Sequence, residues 1–238
     1  MLAIYKSSEP VLQHNIPQFS EYLNSIKTIF LQKRSLILIG FIFCFKMGEI
    51  FTANTSGIIM PFLIQGKGFT LDNIAYINNI LGIIALIIGG LLSGVLIRKW
   101  SLYCVLWVFG SLQVVTNLLF YLLAVSDTQL WFFALAVVSD NLVVGMSFTA
   151  LVVLCTQEVN RQITATHYSF FIIIAALPRV ISGPLGALLY NKYGWVSVYQ
   201  YAIIFALSFI PWLIVLKSVD NCHTSCTGST SSSFSKLP

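Results

Sequence analysis

The chain has 238 residues, 57% of them hydrophobic and 9% charged, with a mean hydropathy of +0.86 and a formal net charge of +5. A soluble domain carries about a quarter charged residues. Charge this thin cannot cover a water-facing surface, which excludes a soluble globular fold and leaves lipid as the main solvent.

Residues 1–34 form an N-terminal segment with no basic, apolar and small-residue cleavage pattern, so no removable signal peptide is expected. Residues 16–34 have an amphipathic pattern suited to an interfacial helix, interrupted by Pro17. Six apolar windows follow, at about 35–64, 71–97, 102–125, 129–157, 163–190 and 195–217. Each has the ~20 residues that cross about 30 Å of hydrocarbon. Their Phe, Ile, Leu and Val content is spread all round, which points to lipid-embedded helices. Alternating ten-residue segments of the β-barrel type are absent. The expected fold is all-α, with six transmembrane helices over 35–217 and a disordered tail over 218–238. Cys222, His223 and Cys226 in that tail are too few for a metal site, and neither a metal nor a cofactor is expected.

Six spans put both ends on one side. Lys6, Lys27, Lys33, Arg34, Arg98, Lys99, Arg161, Lys217 and Lys236 fall on that side, and only Lys67 and Lys192 on the other. Nine against two places both termini in the cytoplasm. The positive net charge is thus a topology signal and calls for no nucleic-acid partner.

Four ionisable residues fall inside the windows: Lys46 and Glu49 in the first, Asp140 in the fourth and Arg179 in the fifth. Each costs about 2.5–3.5 kcal/mol at the bilayer centre if left alone, so each needs a partner or a wet cavity. Lys46 and Glu49, three apart on one helix, are a compatible pair. Asp140 lies 17 residues before Gln157, and Arg179 lies 17 after Gln162. Antiparallel neighbours rise equally per residue, so these two side chains are expected at one depth and suited to an ion pair. Two readings compete: the pairs lock helices together, or they line a cavity that binds anions or carries protons.

The company of these residues favours the cavity. Ala175, Arg179, Ser182 and Gly186 share a face, and Pro178 and Pro184, with Gly183, loosen the backbone around Arg179. Gln113, Asn117 and Tyr121 repeat at four in the third span; Asp140, Val144 and Ser147 share a face in the fourth, beside Asn141. Asn54 and Ser56 extend the polarity of the first. In the second span Ala75, Asn78, Gly82, Ala85, Gly89 and Ser93 form a small-residue stripe, with Gly90 and Gly94 repeating glycine at four. Small residues let backbones approach, so helix packing is the reading there. His14, His167 and His223 lie near ends or tails, and no nucleophile pair accompanies the carboxylates, so no enzyme is expected.

"GLLSGVLIRK" (Gly90 to Lys99) resembles the loop signature of the major facilitator superfamily, departing from it at Gly94, Val95 and Ile97. More specific are the ordered blocks "FKMGEIF" (Phe45 to Phe51), Met60 to Gly94, "GSLQVVTNLLFYLLA" (Gly110 to Ala124), Asp140 to Thr156 and Thr164 to Trp195. In order and spacing they resemble the C-terminal half of AmpG-type muropeptide permeases, which are related to acetyl-coenzyme A transporters. The resemblance implies one six-helix half of a major facilitator superfamily transporter in a Gram-negative inner membrane. It would import anhydro-muropeptides, sugar–peptide fragments of the cell wall, by proton symport. It also implies family positions at Glu49, at Asn141 to Met146 and at Arg179. Arg179 or Lys46 suits substrate carboxylates, Gln113, Asn117 and Asn141 suit sugar hydroxyls, and Glu49 or Asp140 suits proton transfer.

Transporters of this class place the substrate between two halves. A lone half is therefore expected to need an N-terminal half or a second copy as partner. A fragment, a split gene and an assembly with another polypeptide all remain open. The alternative to transport is a remnant or scaffold that moves nothing.

Overall fold

Two large apolar clusters lie toward opposite ends of a set of antiparallel helices; between them sit buried polar side chains and a smaller apolar cluster of Ile50, Phe51, Ile58, Val198 and Ala202. The computed structural model describes residues 33–52, 57–126, 129–158 and 164–218. The expected interfacial helix, Asn54, Ser56 and the tail lie outside these, apart from the residues at their margins. Helix α1 is Lys33–Met47. A short helix α2, Ile59–Pro61, runs into a π-helical turn, Phe62–Gly66. Helix α3 is Leu71–Lys99, with its own π-helical stretch at Tyr76–Leu81. Helices α4, Leu102–Val125, and α5, Leu130–Glu158, follow. The stretch Thr164–Leu207 is two helices joined at Gly194, whose φ of 80° and ψ of 177° are open to glycine and not to a helical residue. We call 164–193 α6 and 195–207 α7; after a turn at Ser208, α7 runs on to 218.

The fold is all-helical. Among the described residues, four helices are long and apolar enough to cross a membrane: Leu71–Lys99, Leu102–Val125, Leu130–Gln157 and the 51 residues Tyr168–Ser218. The last includes the two sequence windows that meet at Gly194. The first expected span is not one continuous helix. α1 stops at Met47, and residues 48–50 form tight turns with N–H groups donating three residues back, to Phe45, Lys46 and Met47.

One apolar cluster takes Leu38, Phe41 and Phe45 from α1, Val105 and Phe109 from α4, Leu151 from α5 and Leu213 from α7. The other takes Ile74 and Ile77 from α3, Phe120 and Leu123 from α4, Phe133 and Val137 from α5 and Tyr199 from α7. Arg98, Lys99 and Lys217 lie near the end of the first cluster, and Lys67 and Lys192 near that of the second. Outside, Ile83, Ile87, Leu91, Val180 and Leu188 are exposed, the dress of a lipid-facing surface.

The closest helix pair is α3 with α5. Gly82, Ala85, Gly89 and Ser93 are buried along it, and Ser93 Oγ donates to the Met146 carbonyl at 3.0 Å. A Cβ at Gly89 would run into the Leu142 carbonyl, and one at Gly145 into the Leu86 carbonyl. This is small-residue packing as the sequence indicated, with two corrections. Ala75 is exposed, and Gly94 has no atom of another element within 4 Å of where its Cβ would lie. The glycine repeat turns Gly94 off the seam, one turn past its last contact. Gly90 is intermediate, 3.5 Å from Thr149 Oγ1 by the same measure.

Helix α7 packs between α1 and α4. Trp212 lies over Gly40, Phe209 over Gly110, and Tyr199 stacks on Phe120 with centroids 5.8 Å apart. By contrast α5 and α6 scarcely touch. Gly186 of α6 fits against Ile58 and Phe51 instead, so α6 leans on the segment after α1.

Candidate functional site: a helix break and an adjoining cleft

Between the two apolar clusters the break after Met47 sets Lys46 and Glu49 side by side. The Lys46 ammonium donates to both carboxylate oxygens of Glu49, at 2.7 and 2.8 Å, with the side chains 6% and 4% exposed. The pair was legible from its spacing. The break itself was not, because nothing in "KMGEIF" forbids helix.

Helix α4 braces the break. Ending the helix frees the Gly48 carbonyl, and Asn117 Nδ2 donates to it at 2.8 Å while also donating to the Gln113 carbonyl at 2.8 Å. Gln113 packs on Gly48 so closely that a Cβ there would lie 2.7 Å from Gln113 Oε1. A larger residue at 48 would make the Gln113 amide shift. Gln113 and Asn117 are thus buried supports of the break.

Asp140 of α5 points into the same interior, 3% exposed. Its carboxyl faces the Thr116 and Thr52 hydroxyls and lies within electrostatic reach of Glu49, Lys46 and the Tyr199 hydroxyl. Thr52, Thr116 and Tyr199 were missed by sequence reasoning. Thr52 was legible only through the polar run it opens, Thr116 through its place between Gln113 and Asn117, and Tyr199 through nothing in its own window.

Several buried atoms find no hydrogen-bond partner among the described residues: Thr52 Oγ1, Gln113 Nε2, Asn117 Oδ1, Asp140 Oδ1 and Tyr199 OH around the break, and elsewhere Ser147 Oγ and both side-chain polar atoms of Asn78. Buried polar atoms are nearly always satisfied, so a cluster of exceptions marks a place built for more than packing. Its charge points the same way, since Glu49 and Asp140 share one buried cation, Lys46.

Lys46 also reaches outward. Its ammonium lies 5.8 Å from the Phe148 ring centroid, and Lys46 is among the residues lining a cleft of about 330 Å³ between α3, α5 and α6. The other walls include Gly90, Val144, Phe148, Thr149 and Arg179. The expected Asp140–Arg179 ion pair is absent among the described residues. Arg179 is exposed and faces Val144 and Phe148 across the cleft, one and two turns beyond Asp140 on α5. Equal residue counts from two loop ends did not give equal depth, because α6 leans away from α5. Nor does the third span line the cleft; the second does.

Asn141 is half-buried, donates Nδ2 to the Val137 carbonyl at 2.9 Å and packs on Gly82. Pro178 is buried, Pro184 exposed, Gly183 intermediate. Ser182 is buried, and its Oγ donates to the Arg179 carbonyl at 2.6 Å, a back-bond that favours helix bending.

Buried charges, exposed apolar flanks and several apolar helices define the class: a multi-pass membrane protein. The particular likeness is to AmpG. The chain is 28% identical over 218 residues to the anhydromuropeptide permease of Escherichia coli (strain K12), a match covering 91% of this chain and 43% of the permease. It is 25% identical over 203 residues to the putative transporter AmpG 3 of Rickettsia typhi, covering 83% and 47%. An uncharacterized protein of Haemophilus influenzae is 24% identical over 236 residues, covering 92% and 55%. The chain thus spans about half the length of these curated relatives. No family model matches it.

Proposed function

We propose that this chain is the C-terminal, six-span half of a proton-coupled importer of anhydro-muropeptides or related anionic sugar–peptides, of the major facilitator type. The six spans would be α1 with α2, then α3, α4, α5, α6 and α7, both termini cytoplasmic, in a bacterial inner membrane. The observation that carries the reading is the cleft where Lys46 and Arg179 converge, beside a buried layer with more carboxylates than cations. Two cations in an apolar cleft suit the carboxylates of a peptide stem. The amide and hydroxyl groups around it suit sugar and peptide hydrogen bonds. A discontinuous first span at the polar layer is the form membrane proteins use where irregular backbone lines a binding site. The likeness to a permease named for anhydromuropeptides points to the same cargo.

A cleft closed by α3, α5 and α6 on one side needs a wall on the other. The partner is an N-terminal half-transporter or a second copy of this chain. The test is uptake of labelled 1,6-anhydro-muropeptide into proteoliposomes holding this chain with an AmpG-type N-terminal half. Uptake is expected under an inward proton gradient and is abolished by an uncoupler. Glu49→Gln should lower it at least about tenfold, as loss of about 1.4 kcal/mol or more would, while exposed Lys192→Gln leaves it within about twofold. Equal rates in the two variants would contradict the assignment.

A further inference from the structure

One buried carboxylate has no opposite charge of its own. Lys46 is taken by Glu49, through both carboxylate oxygens at 2.7 and 2.8 Å. Asp140 of α5 is 3% exposed, and no salt bridge reaches it among the described residues. We propose that Asp140, Thr52, Thr116 and Tyr199 form a binding site for a monovalent metal cation, with sodium the ion of fitting charge and size. The inference goes beyond the transport reading and does not depend on which solute the chain carries.

The groups gathered here are all oxygens, the donors that hard cations take. The Asp140 carboxyl faces the hydroxyls of Thr116 on α4 and of Thr52, which follows the α1 break, and the Tyr199 hydroxyl of α7 lies in its electrostatic reach. Thr116 Oγ1 donates its one proton to the Gln113 carbonyl at 3.0 Å. Toward Asp140 it therefore offers only lone pairs. A carboxylate and a lone pair repel unless positive charge lies between them. Asp140 Oδ1, Thr52 Oγ1 and Tyr199 OH are buried and have no hydrogen-bond partner among the described residues. Oxygens that face one another without bonding have the spacing of ligands around one ion. Two ligands each about 2.4 Å from a cation, at right angles about it, stand roughly 3.4 Å apart.

Charge selects the valence. The Lys46–Glu49 pair is neutral as a unit, so Asp140 contributes one uncompensated negative charge. A monovalent cation cancels it, whereas a divalent one would leave an unpaired positive charge buried, which is costly. A proton on Asp140 would also cancel the charge, but a proton bridges to one oxygen, while a cation takes several at once. The fold brings these oxygens together from four places. Helix α4 carries Thr116 beside Asn117, whose amide holds the Gly48 carbonyl at the break. The element that braces the break thus also supplies a ligand.

The test is binding of radiolabelled sodium to the full chain in lipid nanodiscs, purified with its partner half, with choline in place of sodium as the blank. Binding is expected to be displaced by unlabelled sodium or lithium and not by choline. Asp140→Asn should weaken it at least about tenfold, as should Thr116→Val, which keeps the shape and removes the oxygen. Thr116→Ser should restore it, and exposed Lys192→Gln should leave it unchanged. Sodium should also raise the unfolding midpoint of the parent and of Thr116→Ser over that in choline, and not that of Thr116→Val. The serine and valine pair keeps the test decisive where Asp140→Asn does not fold. Sodium bound equally by the parent and Thr116→Val, or by the parent and Asp140→Asn, would put the ion elsewhere and overturn the assignment. A parent that binds no sodium above the choline blank would overturn it too, leaving a proton to neutralise Asp140. Muropeptide uptake is a separate readout, so either failure leaves the transport reading standing.

Discussion

Val substituted at Gly89 or Gly145 should destabilise the chain by about 1–3 kcal/mol or more, the range for overpacking a tight contact. Both positions face backbone carbonyls of the opposite helix, Leu142 and Leu86, and a carbonyl cannot rotate away as a side chain can. The helices would have to part, opening the Ser93–Met146 hydrogen bond. The two sites lie on one seam, so the double variant should cost less than the sum of the singles. Gly94→Ala is the control. Its Cβ meets nothing within 4 Å, and alanine is favoured over glycine in a helix by about 0.8–1.0 kcal/mol. Thermal unfolding in detergent should therefore rank Gly94→Ala at or above the parent and both valine variants well below it. Valine tolerated at Gly89 would mean that α3 and α5 do not meet there.

Lys46→Met should be the most damaging single change in the polar layer. It leaves Glu49 and Asp140 buried with no cation, and removing one partner of a buried pair costs about 3–5 kcal/mol. The cost comes from the charge left behind. Replacing both partners, as in Lys46→Met/Glu49→Leu, should thus restore most of the stability, because a well-packed apolar pair is often as stable as the ion pair. Unfolding midpoints of the three proteins check this. A double variant no better than Lys46→Met would mean that the Lys46–Glu49 bond is not what holds the break. Neither variant should transport, which separates folding from function at this pair.

What the sequence disclosed here was periodic, and what it concealed was non-periodic. The α3 stripe of Gly82, Ala85, Gly89 and Ser93 could be read because close helix packing demands small residues at a fixed repeat. The burial of Gln113 and Asn117 could be read because polar side chains at four-residue spacing share a face. Their task could not, since bracing Gly48 depends on where α1 stops, and no proline or polar break announces the stop. The Lys46–Glu49 pair is local and survives the change from helix to tight turn, so spacing was enough. The Asp140–Arg179 pairing required two helices to stand upright at equal depth, and the lean of α6 onto Ile58 and Phe51 removed that condition. Tyr199 reached the site through tertiary packing alone, stacked on Phe120.

On the proposed reading Arg179 faces water in the cleft, while its neighbour Val180, 72% exposed, faces lipid. Single cysteines at each position, in a background with the native cysteines replaced, can be offered a charged, membrane-impermeant thiol reagent in intact membranes. Thiol reagents attack through the thiolate, which forms only where water reaches. The cysteine at 179 should react at least about tenfold faster than the one at 180, as a free-energy difference of about 1.4 kcal/mol in access would give, and bound anhydro-muropeptide should slow it. Equal reactivity at the two positions, or an inert cysteine at 179, would contradict the account.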